Sequence, residues 1–200
     1  MKILGIDTTG SYCSVALVDD ASILSHKSEN IGRGHAERLA PMVDEVFVKA
    51  GLTAKEIDRI CVCVGPGSFT GIRVGLAFAK GFALPRNIPV IGINALEVSA
   101  HLTRVTLNDD LVGVYRDIRR GEVFYGSYRR GEPLEPPRSL TLQDAQHQAN
   151  RLQARLIESK QPNTPILAWL GADRNPSDYP AAPLYSRPPD AKLPGGRDVV

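Results

Sequence analysis

Short apolar runs broken by turn residues fill the first thirty positions. Residues 2–7 (Lys-Ile-Leu-Gly-Ile-Asp) read as a strand ending on a carboxylate, Tyr12–Val18 as a second with alternating character, and 22–28 as a third. Thr8-Thr9-Gly10-Ser11 and Asp19-Asp20 supply the turns, so the three form a meander. A helical period then takes over at His35–Ala50. Leu39, Met42, Val43, Val46 and Ala50 share one stripe, and Gly51 follows at the C′ position. Pro41 lies inside and is expected to kink this helix or delay its start. A strand at 60–64, a helix at 68–84 stopped by Pro85, a strand at 90–93 and a short helix at 95–102 complete the pattern.

Beyond position 104 the signal weakens but partly repeats. Leu111–Asp117 and 122–128 read as a strand pair, 140–159 as a helix and 166–170 as a strand. Two successive βββα-type units predict two related lobes, 1–104 and a smaller 105–200. The last 68 residues hold 11 of the 15 prolines, so regular structure there is sparse.

Composition changes this picture little. With 42% hydrophobic and 23% charged residues the 200-residue chain is an ordinary globular one, burying roughly 70% of its unfolded surface without staples. No apolar run approaches the ~20 residues of a membrane span, and no basic-then-apolar leader precedes the first strand. A soluble, cytoplasmic protein without membrane contact is expected. The net charge of +2 divides as +1 before and +1 after position 104, so neither part offers a bulk cationic field to nucleic acid. Adjoining arginines, Arg119-Arg120 and Arg129-Arg130, read as solvated surface or as a local patch. Cys61 and Cys63 alternate onto one strand face, and with Cys13 they read as buried free thiols of a reducing compartment.

Candidate chemistry is thin. Asp7 and Thr9 at the end of the first strand, with the Gly65-Pro66-Gly67 turn, form a candidate phosphate cradle, and the same strings are ordinary turn chemistry. Ser68 is placed to cap the following helix, whose N–H groups are a candidate anion site. No Lys-Ser or Lys-Thr follows at Walker spacing, and the strand after Asp7 carries no cation. His26, His35, His101 and His147 are scattered and form no HxxxH, HxH or HExxH pattern. In the 68–84 helix, Gly71, Gly75, Ala79 and Ala83 recur every four residues, with Val74, Phe78 and Phe82 as a second stripe. A helix this apolar is either central to the core or partly a partner surface.

Three segments resemble the TsaB (YeaZ) family: Ile3–Thr9, His35–Pro41 and Gly65-Pro66-Gly67-Ser68-Phe69-Thr70-Gly71-Ile72-Arg73-Val74-Gly75. The strings Arg119-Arg120-Gly121-Glu122-Val123-Phe124 and Leu184-Tyr185-Ser186-Arg187-Pro188-Pro189-Asp190-Ala191-Lys192 do so too, with Ile118 and Ser186 departing from the pattern. The resemblance implies an α/β chain of the ASKHA (actin-like ATPase and sugar-kinase) fold. That means two RNase H-like lobes, with a mixed five-stranded sheet in the first and a reduced second. It also implies a non-catalytic subunit that dimerises with itself, binds the threonylcarbamoyl transferase TsaD, and joins the ATPase TsaE in modifying the adenosine beside the tRNA anticodon. ATP and a divalent metal are then expected on the partners, with none on this chain, and tRNA is met indirectly.

The implied interface is Leu39, Met42 and Val46 on the first helix, with Gly71, Arg73, Gly75, Phe78, Ala79 and Phe82 on the second. In TsaD two metal-binding histidines stand four apart where this chain has Ala95 and Ser99. Neither side chain replaces an imidazole, which argues against a metallopeptidase. An independent ASKHA-type small-molecule kinase or ATPase using Asp7, Thr9 and the Gly65–Gly67 turn is the alternative.

Overall fold

A computed structural model describes residues 1–20, 22–118, 121–160 and 163–185. The meander forms as expected: β1 (Ile3–Asp7), β2 (Tyr12–Val18) and β3 (Ile23–Asn30) pair antiparallel. After α1 (His35–Ala50), β4 (Arg59–Gly65) and β5 (Val90–Asn94) add in parallel around α2 (Phe69–Ala83), giving the sheet order β3-β2-β1-β4-β5. This is RNase H-like topology.

Strand alternation assigns the two faces of this sheet. Leu4, Ile6, Val15, Leu17, Ile60 and Val62 pack beneath α1 and α2. Ile3, Ala16, Val18, Cys61, Cys63, Ile91 and Ile93 point the other way. The helix α1 starts at His35 and continues through the exposed Pro41, so the expected late start does not occur.

The second sheet repeats the antiparallel start and the parallel return with shorter strands. β6 (Leu111–Asp117) and β7 (Glu122–Arg129) form a hairpin; β8 (Glu132–Pro133) and β9 (Arg138–Thr141) flank β7. α4 (Leu142–Arg151) leads to β10 (Arg155–Glu158), which pairs parallel with β6. The reduced second lobe is therefore real. The 140–159 helix is corrected: the chain leaves α4 after Arg151, passes through a left-handed Gln153, and finds its partner in β6.

The 166–170 strand is likewise a helix, α5 (Thr164–Leu170). The Asn163 side chain accepts from the Ile166 N–H, and Pro165 sits in the first turn. Leu167 and Ala168 of α5 pack on the far face of the first sheet. Gly92 N–H donates to Tyr179 O, and Leu184 N–H donates to Val64 O. Part of the 105–200 segment thus returns to the first lobe. Between the sheets lies α3 (Ala95–Leu107), longer than the expected 95–102. It gives Ala95 and Val98 to the first sheet's core and Leu96 and Ala100 to the second's. No helix among the described residues is long and apolar enough to cross a membrane.

Candidate functional site

The candidate phosphate cradle assembles, and its polar groups are bound to one another. Asp7 Oδ1 accepts from both the backbone N–H and the hydroxyl of Thr9, each at 2.8 Å, so the carboxylate caps its own turn. The Gly65–Gly67 turn folds down on this one. A Cβ on Gly67 would sit 2.2 Å from Thr9 O, so glycine is required for the approach. Ser68 N–H donates to Thr9 O at 2.7 Å, and Ser68 Oγ caps Gly71 N–H at 3.2 Å. Two of the N–H groups at the candidate anion site, those of Ser68 and Gly71, are thereby engaged.

Sequence reasoning missed the residue that closes the cleft. Arg116 on β6, only 8% exposed, donates from Nη1 to Thr9 Oγ1 at 3.0 Å and to Pro66 O at 2.7 Å. Its Nε donates to Ser159 O at 3.1 Å. The signal was a charge in register with Val112 and Val114 on the buried face of a strand. At the two positions where the resemblance implied lost histidines, Ala95 and Ser99, Ser99 Oγ donates to Ser159 Oγ at 2.7 Å, and Ser159 Oγ lies 3.3 Å from Ala95 O. Two hydroxyls satisfied by each other and a backbone carbonyl do not suit a divalent metal. No cluster of three or more His, Cys, Asp or Glu among the described residues could hold one.

The thiols behave as buried hydrophobes. Desolvation raises Cys61 to about 12 and Cys13 to about 11, and it raises Cys63 as well.

The expected interface divides in two. Gly71, Gly75 and Ala79 face inward; Thr8 Oγ1 donates to Gly71 O at 2.7 Å, and a Cβ on Gly71 would sit 2.0 Å from Thr8 O. Leu39, Met42 and Val46 are buried in the same core. These six are corrected to core residues of a single chain: the small residues let α2 lie directly on the β1–β2 turn. What faces solvent is the opposite side of the helices. Val74, Phe78 and Phe82 are half-buried, Ala77 and Gly81 are exposed, and Val48 and Leu84 are 80% and 81% exposed. Phe82 stacks between Phe78 and Phe47, with ring centroids 6.0 and 5.9 Å apart. Arg73 lies over the Phe69 ring at 3.7 Å and donates to Tyr185 Oη at 3.0 Å, fastening residues 179–185 to the start of α2. Between α1 and β3, Arg38 bridges Glu29 and Glu45, which Lys27 also contacts, and Arg38 foremost holds both carboxyls down to about 2. The Arg119-Arg120 pair and the motif from Ser186 onward lie outside the described residues.

A model of the family described as "TsaD: tRNA N6-adenosine threonylcarbamoyltransferase" matches residues 22–184. The chain belongs to this family. Within it the chain sits with the TsaB/YeaZ members. It is 37% identical over 132 residues to the Escherichia coli tRNA threonylcarbamoyladenosine biosynthesis protein TsaB, covering 66% of this chain and 57% of that one. The match thus spans little more than half of the E. coli protein's length. An uncharacterized Mycobacterium tuberculosis protein is 33% identical over 205 residues, covering 95% and 93%. The solved structure of YeaZ from Pseudomonas aeruginosa superposes with a TM-score of 0.75 at 27% identity over 92% of this chain and 99% of that one. Two mixed sheets of RNase H-like topology agree with the ASKHA fold of this TsaD-family member.

Proposed function

We propose that this chain is a non-catalytic subunit for threonylcarbamoyl transfer to tRNA, docking the organism's TsaD through the exposed side of α1 and α2. The same side serves a competing homodimer, and the ATPase TsaE joins the assembly. ATP and a divalent metal act on the partners. One observation carries the reading: Val48 on α1, Ala77 and Gly81 on α2 and Leu84 just after it are exposed apolar positions, and Phe78 and Phe82 on α2 are only half-buried. Such a patch marks a surface that another protein covers.

The cleft supports the non-catalytic half. Its turns are bonded to Arg116 and to each other, which counts against the small-molecule kinase or ATPase, and the Ser99–Ser159 pair counts against metal-dependent peptidase chemistry. The test is reconstituted transfer to tRNA from an added activated threonylcarbamoyl donor, with ATP, TsaD, TsaE and this chain. The chain alone should give no product, the mixture should, and a Val48→Asp/Leu84→Asp variant should lose it while remaining folded. Turnover by the chain alone would overturn the reading.

A further inference from the structure

Arg116 takes no part in the docking surface, yet it is held by groups from three elements. A guanidinium this buried is tolerated only when its donors are satisfied. Here the acceptors are Thr9 Oγ1 on the β1–β2 turn, Pro66 O on the turn before α2, and Ser159 O after β10. The Thr9 hydroxyl donates onward to Asp7 Oδ1, so the cation and carboxylate are joined through one hydroxyl, each polarising the next bond.

The first-lobe end of this chain of bonds is one tightly packed unit with α2. Ser68 N–H donates to Thr9 O, Thr8 Oγ1 donates to Gly71 O, and Cβ atoms are excluded at Gly67 and Gly71. The other end belongs to the second lobe, where Ser159 also bonds Ser99 on α3. The second sheet is thereby bolted, through one side chain, to the turn from which α2 starts.

We propose that Arg116 is a positioning residue for docking. It fixes the pose of α2 from across the cleft, so that partner affinity depends on a side chain remote from the contact surface. This rests on the docking reading above. Arg116→Met keeps the length and removes all three bonds; Arg116→Lys keeps the charge but cannot span the acceptors as a planar fork does.

The experiment measures TsaD affinity of the full chain by titration calorimetry, alongside amide hydrogen exchange. For Arg116→Met, affinity should fall at least tenfold, and exchange should accelerate across residues 66–72 while β2 stays protected. Arg116→Lys should lie between. A purely structural residue would lower the melting temperature and leave the affinity of the folded chain unchanged, and that result overturns the proposal. If Arg116→Met does not fold, Thr9→Val removes the facing hydroxyl and should give the same two changes, with Thr9→Ser as wild type. Loss of binding by the Val48→Asp/Leu84→Asp variant, with Arg116→Met and Thr9→Val binding normally, refutes positioning alone. Normal binding by the Val48→Asp/Leu84→Asp variant refutes docking through this face, and the proposal with it.

Discussion

Two alanine substitutions in the same helix should have opposite signs. At Gly71 the new Cβ would lie 2.0 Å from Thr8 O, and ordinary contact begins at 3.4 Å, so the backbones must separate by about 1.4 Å. Overpacking of this kind costs ~1–3 kcal/mol, and loss of the Thr8–Gly71 hydrogen bond adds ~0.5–1.5. Against that stands a gain of ~1 kcal/mol for alanine over glycine in a helix. The net is a loss of ~0.5–3.5 kcal/mol, which lowers the melting temperature by roughly 2–4 °C per kcal/mol for a chain of this size. At Gly81 nothing lies within 4 Å of the new Cβ. Gly81→Ala should therefore stabilise by ~0.5–1 kcal/mol. Thermal unfolding followed by circular dichroism reads both. A Gly71→Ala chain as stable as wild type would refute the inward-facing stripe, and with it the reassignment of Gly71, Gly75 and Ala79 to the core.

Three other measurements follow. Native Cys13, Cys61 and Cys63 should resist a thiol reagent at pH 8 and react on unfolding, because burial raises all three thiols. Glu29 and Glu45 have folded values near 2 against 4.5 ordinarily, so their contribution is present above pH 4.5 and lost as pH falls from there toward 2; acid titration of Arg38→Met should show a shallower loss than wild type. Leu167→Ala empties part of the core beneath α5 and should destabilise by ~2–5 kcal/mol, with a shift in the fluorescence of Trp169, the chain's single tryptophan; an unchanged spectrum and stability would detach α5 from the first lobe.

Local pattern carries the first lobe because its signals are local. Alternation placed Cys61 and Cys63 on one face, and the 3.6 period marked His35–Ala50 to the residue. The second lobe was less legible where the deciding partner is distant. Arg155–Glu158 is four residues long and becomes a strand by pairing with β6, which no helical period in 140–159 reveals. Five apolar residues at 166–170 suit a buried strand or a helix equally, and only Asn163 and Pro165 hinted at the latter. In the candidate site, Asp7, Thr9 and the Gly65–Gly67 turn were legible as neighbours. The cation that seals them was not, because Arg116 arrives from β6, 107 positions from Thr9 and 50 from Pro66. The small-residue stripe was visible too, but its direction is set by contact with Thr8.

The central claim is that an apolar face on α1 and α2 holds TsaD. Titration calorimetry of TsaD into the wild-type chain and into a folded Val48→Asp/Leu84→Asp variant tests it directly. Saturable binding by the first and none by the second is the predicted result. Equal binding by both, or no heat with the wild-type chain, contradicts the account.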